Sequence, residues 1–139
     1  MWRSFFRMNQ AACAWLARYL PNARGHTYRA YTAAVEQAIG ALDEGISVDI
    51  GGGKTCVFAG ARGGQVRIAA VDISPDELRQ NQEVNVRIAA DVTHGLPFAD
   101  ASISLMASRS VLEHLDHLEP FLQEASRVMR PGAHFIHWV

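Results

Sequence analysis

The chain has 139 residues, of which 49% are hydrophobic, and a formal net charge of −1 at pH 7. That length gives one domain with a sizeable core. The composition excludes a disordered chain and a strongly basic nucleic-acid binder, and no run approaches the ~18 apolar residues needed to span a bilayer.

The first predicted elements are two helix-compatible stretches, 4–20 and 28–42, separated by Pro21-Asn22 and Gly25. Charge is uneven along them: no Asp or Glu precedes Glu36, whereas Arg3, Arg7, Arg18, Arg24 and Arg29 do. With Trp2, Phe5, Phe6, Trp15, Leu16 and Leu20 among the arginines, three readings stand: a membrane-surface helix, an organelle transit peptide, or helices that cover the rest of the domain. A secretory signal fits poorly, because the apolar stretch 11–17 is short and Arg18 follows without a cleavage site. The expected division is an N-terminal helical segment, 1–45, covering a sheet formed by 46–139.

From Ile46 the texture changes to short β-prone runs divided by turns: 46–50, 66–71, a third within 84–90, then 102–107 and 133–139. The gaps have room for crossover helices, which favours a parallel sheet over hairpins. Ser74-Pro75-Asp76-Glu77 reads as a helix start, with a capping serine, proline at the first helical position and a glutamate three residues after the cap. Phe121, Leu122, Ala125, Val128 and Met129 form an apolar stripe at helical spacing behind Pro120, and Pro131-Gly132 is expected to end that helix and feed the fifth strand.

The informative pattern lies at the ends of these runs. Asp49 leads into Gly51-Gly52-Gly53, and Asp72 and Asp91 follow at steps of about twenty residues, each closing a β-prone run. Successive parallel strands place such residues at one carboxyl edge, where open α/β sheets bind ligands. Carboxylates accept two hydroxyl bonds at once, which suits a ribose diol. Two phosphate grips fail by position. In GxxxxGK[ST] ending at Gly53-Lys54-Thr55 the first glycine would be Val48, and in GxGxxG from Gly51 the third would be Cys56. Cys13 and Cys56 have no metal-type spacing and are expected to be reduced in a cytoplasmic protein. The six histidines make no zinc set, although His114 and His117 stand three apart.

Asp49-Ile50-Gly51-Gly52-Gly53 resembles the first motif of class I S-adenosylmethionine-dependent methyltransferases, with Thr55 where the last glycine is usual. The resemblance runs on in order through Val71-Asp72-Ile73-Ser74, Ala90-Asp91 and Gly95–Ser102, then Ser110–Leu115 and Arg127-Val128-Met129-Arg130-Pro131-Gly132. Within the family it looks closest to the type 11 group. It implies an α/β, Rossmann-like doubly wound parallel sheet of order 3-2-1-4-5, preceded by N-terminal helices. It also implies a cofactor, S-adenosyl-L-methionine, bound through Asp49, Gly51, Gly52, Gly53, Asp72, Ile73, Asp91, Val92 and Ser108. Asp72 would bind the ribose hydroxyls and Asp91 the adenine amino group.

On the same resemblance, Ser108, Arg109, Glu113 and His114 fall on the acceptor side, with Glu113 or His114 as the candidate catalytic base. Lys54, the only lysine, would either neutralise the cofactor carboxylate or stand solvated. The family sheet continues with an antiparallel pair of strands beyond the fifth. The expectation is therefore a core that lacks this pair, with three explanations open: the chain is a truncated fragment, it forms a homodimer through the open fifth edge, or its C-terminal residues pack differently. A small-molecule acceptor is implied; nucleic acid and metal are not. A non-catalytic cofactor-binding or interaction subunit is the alternative.

Overall fold

The computed structural model describes residues 23–139. The helix expected over 4–20 lies outside them. Helix α1 (Ala23–Gly40) begins earlier than expected and stops at Gly40, a residue that weakens a helix interior. Five strands follow: β1 (Glu44–Ile50), β2 (Gln65–Asp72), β3 (Val86–Ala89), β4 (Ile103–Arg109) and β5 (Met129–Trp138). They form one sheet in the order β3-β2-β1-β4-β5, and every pairing is parallel. This is the doubly wound arrangement expected.

Each face of the sheet carries its own core. Tyr31, Val35 and Ile39 of α1 pack with Phe58, Ile68 and Leu105 on one side. Helix α3 (Leu118–Val128) lays Phe121, Ala125 and Val128 against Val48, Ile50 and Met106 on the other. The central strands are buried on both faces, so they read as continuous apolar runs rather than alternating ones. Fully burying side chains of this size contributes about 1.5–3 kcal/mol each. In β1 the alternation turns Val48 and Ile50 toward α3 and Ser47 and Asp49 toward α1.

The crossovers differ from the expected helices. Between β1 and β2 there is only a single 3-10 turn, Ala59–Ala61, because Gly51, Gly52, Gly53, Gly60, Gly63 and Gly64 disfavour a helix. Between β2 and β3, helix α2 (Pro75–Leu78) is one turn long, with Ser74 Oγ accepting from Glu77 N at 3.3 Å as its sequence signalled. Between β3 and β4 stands another 3-10 turn, Val92–His94. Only β4 and β5 are joined by a longer helix, and on it Leu122 is 42% exposed rather than part of the buried stripe.

β5 also starts earlier than expected. Met129 already pairs with Ile103, but the next pairing is Leu105 with His134, so Arg130–Ala133 bulge opposite Ser104. Pro131 has no N–H for a ladder bond and Gly132 takes φ +82°, which locates the bulge there. No helix among the described residues is long and apolar enough to cross a membrane.

Candidate functional site

The parallel order brings the carboxyl ends of β1, β2, β3 and β4 to one edge, and a cleft of about 620 Å³ opens along it. Gly51 turns the chain off β1. Its φ is +71°, and a Cβ there would stand 2.1 Å from Val111 Cγ2, so only glycine lets the β4 loop come this close. The turn is pinned by Gly51 N–H donating to Val71 O at 2.8 Å. From beneath, buried Asn81 donates through Nδ2 to Gly52 O at 3.0 Å and Gly53 O at 3.3 Å. No sequence motif signalled Asn81; a buried amide between two turns becomes visible only when the chain has folded.

Asp72 closes β2 with its carboxylate held by main-chain donors. Oδ2 accepts from Gly53 N at 3.0 Å and Oδ1 from Ser74 N at 2.8 Å. Each oxygen keeps a further lone pair that can accept a hydroxyl from the cleft. Gly53 N–H is thereby spent on a carboxylate, which disfavours a phosphate in this turn. Lys54 Nζ lies 3.9 Å from Glu77 Oε1, and both side chains are about half exposed.

Asp91 stands one strand further out. Its Oδ1 accepts from Thr93 N at 2.9 Å and Thr93 Oγ1 at 2.6 Å, and Oδ2 lies 3.2 Å from His94 Nδ1. The Thr93 hydroxyl and amide, with His94 beyond them, hold this carboxyl below the usual range. Asp91 is thus a turn cap and a cleft-lining acceptor at once. Ile73, exposed by 73%, and Val92 stand next to the two acids and line the same cleft. An apolar side chain this exposed beside a cleft is a surface for a flat ring to rest on.

The opposite wall is the segment after β4. Ser110 takes φ +52°, an uncommon conformation for a residue with a Cβ, while its N–H donates to Trp138 O at 2.9 Å. Ser110, Val111, His114, Leu115, Asp116 and His117 face the cleft.

Asp49 lies under the turn rather than in the cleft lining, and is 7% exposed. Burial pushes its carboxyl up to about 7, with Asp72 and Glu83 adding to the effect; the Cys56 thiol and Arg109 oppose it. Burial also pushes the Cys56 thiol and the Tyr31 hydroxyl well above their ordinary values, with Asp49 contributing to both. Tyr31 Oη and Ser47 Oγ are buried without hydrogen-bond partners among the described residues. Arg109 donates to Tyr28 Oη at 3.0 Å and sits 5.7 Å from the centre of its ring. Tyr28 packs edge-on against Trp138, whose Nε1 donates to Thr27 Oγ1. α1 is thus fixed across the ends of β4 and β5.

Of the residues singled out in the sequence, Gly51, Asp72, Ile73, Asp91, Val92 and His114 meet in the cleft. Gly52 and Gly53 are buried in the turn behind it. Ser108 is fully buried with no partner for Oγ among the described residues, outside the lining, and Glu113 is exposed and outside it too. His117, Asp116 and Thr93 were not anticipated as lining residues. Asp-x-Thr is an Asx-turn signature that could have pointed to Thr93.

The sequence profile of the family described as "Methyltransferase domain" matches residues 48–137. Norajmaline N-methyltransferase of Rauvolfia serpentina is 27% identical over 96 residues, covering 63% of this chain and 32% of that protein. The YcgJ protein of Bacillus subtilis superposes with a TM-score of 0.65 at 20% identity, over 78% of this chain and 50% of that one. Phosphoethanolamine N-methyltransferase 2 of Haemonchus contortus, in complex with S-adenosyl-L-methionine, gives a TM-score of 0.60 at 19% identity. That match covers 76% of this chain and 27% of the worm protein. The two structural likenesses show the fold. The chain spans between about a quarter and a half of the length of these relatives.

Proposed function

The chain belongs to the methyltransferase-domain family, and from that premise we propose that it binds S-adenosyl-L-methionine and transfers its methyl group to a small molecule. The observation that carries this reading is Asp72, a carboxylate fixed by two main-chain donors at the tip of β2 and open to the cleft. Asp72 is assigned to the ribose hydroxyls and Asp91 to the adenine amino group, with Ile73 and Val92 against the ring. The Gly51–Gly53 backbone and Asp49 are assigned to the methionine end. Ser108, behind the lining, supports the floor in this reading.

The cofactor supplies an activated methyl group on a cationic sulfur, so the protein's share is alignment and exclusion of water. Carboxylates along the sheet edge suit that charge. His114, which lines the cleft, is the better-placed proton acceptor; Glu113 lies outside the lining.

Calorimetric titration of the purified chain with S-adenosyl-L-methionine, and separately with ATP–magnesium, tests the reading. The expected result is binding of the first alone, weakened at least tenfold in a folded Asp72→Ala variant. Binding of ATP–magnesium, or of neither ligand, would overturn it.

β5 pairs with β4 alone among the described strands. We assign its outer edge to a second copy of the chain, which a strictly monomeric species in sedimentation equilibrium would rule out.

A further inference from the structure

We propose that the floor of the cleft continues into a buried subsite, Ser108 with His137, that takes a neutral hydroxyl group of the methyl acceptor. The inference rests on the methyltransferase reading above and adds the chemical class of the acceptor.

Strand register sets the two residues in one row with the cleft floor. Val71, Ile50, Ser108 and His137 are successive partners across β2, β1, β4 and β5. Paired residues of a parallel sheet turn their side chains to the same face. Here that is the α3 face, where Val71 and Ile50 pack. Phe135, two residues before His137, packs on it as well, and the two ring centres are 6.4 Å apart. Val71 and Ile50 line the cleft, and Ser108 and His137 carry their row on toward the outer strand.

The apolar half of this row is satisfied and the polar half is not. Ser108 is fully buried, and neither its Oγ nor the buried Nδ1 of His137 has a hydrogen-bond partner among the described residues. Buried polar atoms are nearly always paired, and an unpaired one costs stability. An apolar residue at position 108 would avoid that cost, as Ile50 and Val71 do beside it. Two such atoms on adjacent strands therefore point to a group that arrives from outside. Ser110 stands two residues beyond Ser108 at φ +52°, a conformation that costs a residue with a Cβ. Relief of that strain is the movement that opens the pair to the cleft.

The pair offers one donor and one acceptor: a serine hydroxyl donates, and an imidazole nitrogen without a proton accepts. An incoming hydroxyl answers both with one oxygen, accepting from Ser108 Oγ and donating to His137 Nδ1. Adjacent strands lie about 4.8 Å apart, so paired side chains converge on a space one heavy atom wide. An amide carries its donor and acceptor on different atoms and does not fit it. An ammonium brings three donors to one acceptor, and a carboxylate brings a charge to one donor among Ile50, Val71 and Phe135. Either ion would give up more hydration than the pair returns. Both bonds to the hydroxyl are recognition bonds, and they fix one end of the acceptor beside β4.

The test titrates the full chain, saturated with S-adenosylhomocysteine, with 2-phenylethanol, phenethylamine, 3-phenylpropionate and 2-phenylethyl methyl ether. These share an apolar body and differ at the polar end. The expected result is at least tenfold tighter binding of the alcohol than of each other probe. That preference should vanish in Ser108→Ala and His137→Phe and persist in His137→Asn, whose Oδ1 accepts where Nδ1 did. Ser108→Ala should also melt no lower than the parent chain, because it removes a hydroxyl that the ligand-free fold leaves unsatisfied. Equal or tighter binding of the amine, carboxylate or ether would overturn the proposal, as would no binding of the alcohol. So would a Ser108→Ala chain that melts lower or binds the alcohol as before, the marks of a purely structural serine. If S-adenosylhomocysteine itself fails to bind, the methyltransferase reading falls, while the melting comparison still decides whether Ser108 is unsatisfied.

Discussion

Replacing Asp49 with asparagine should make the ligand-free chain more stable at neutral and alkaline pH. Asp49 is 7% exposed, and burial raises its carboxyl from 3.8 to about 7. A raised folded value means the fold holds the neutral acid better than the anion. The contribution is therefore fully present below pH 3.8 and is lost progressively as pH rises to about 7. Above pH 7 the folded chain carries a buried carboxylate with no cation in bonding contact among the described residues. The difference between 3.8 and about 7 corresponds to a cost on the order of 4 kcal/mol, at about 1.4 kcal/mol for each tenfold change in proton affinity. Asparagine keeps the shape and an acceptor oxygen toward the Cys56 thiol while removing the charge.

Thermal melts of the two chains from pH 4 to pH 8 would read this directly. The variant should melt higher by roughly 12 °C at pH 8, with the gap closing toward pH 4, given about 3 °C per kcal/mol at this size. The same variant should lose affinity for S-adenosyl-L-methionine, because the anion destabilises the empty fold yet suits a cationic guest. Equal melting at pH 8, or a gap that does not depend on pH, would refute the assignment of a buried carboxyl at this position.

Gly51→Ala places a Cβ 2.1 Å from Val111 Cγ2 at a φ of +71°; the expected cost is about 2–4 kcal/mol, read by chemical denaturation, with cofactor affinity falling as the turn and the β4 loop separate. Arg127 of α3 donates to Leu96 O at 3.1 Å, Phe98 O at 3.1 Å, Asp100 Oδ1 at 2.6 Å and Glu124 Oε2 at 2.7 Å. Arg127→Ala should therefore speed amide exchange across residues 96–101 while leaving β1 and β2 protected. Arg127 and the Leu96 amide hold Glu124 down to about 2, so this clasp is intact above pH 4.5 and weakens as pH falls from 4.5 toward 2, which exchange at the Leu96 amide would follow.

The local chemistry of the chain determined most of the architecture. Five β-prone runs with long gaps favour parallel pairing, which the sheet adopts, and Ser74-Pro75-Asp76-Glu77 makes a helix start by its own side chains. The order of Asp49, Asp72 and Asp91 placed them at strand ends, and Asp72 and Asp91 meet in one cleft because parallel strands all finish at the same edge. Element ends were less legible. The early start of β5 depends on a bulge around Pro131-Gly132, and the missing β1–β2 helix depends on glycines scattered through a loop whose path packing fixes.

What only the tertiary structure decided was which side chains share an environment. Strand alternation alone put Asp49 on the α1 face, but its rise to about 7 required burial in the folded chain, with Asp72 and Glu83 brought near from distant parts of the sequence. Asn81 carries no motif, yet it holds the turn because the segment after α2 passes beneath Gly52 and Gly53. Glu113 and His114 are neighbours in sequence, and the 3-10 turn Leu112–His114 gives them different exposures to the cleft, so that only His114 lines it. Spacing fixes which strand end a residue reaches; burial and charge at that end arise from contacts between segments that the sequence order keeps apart.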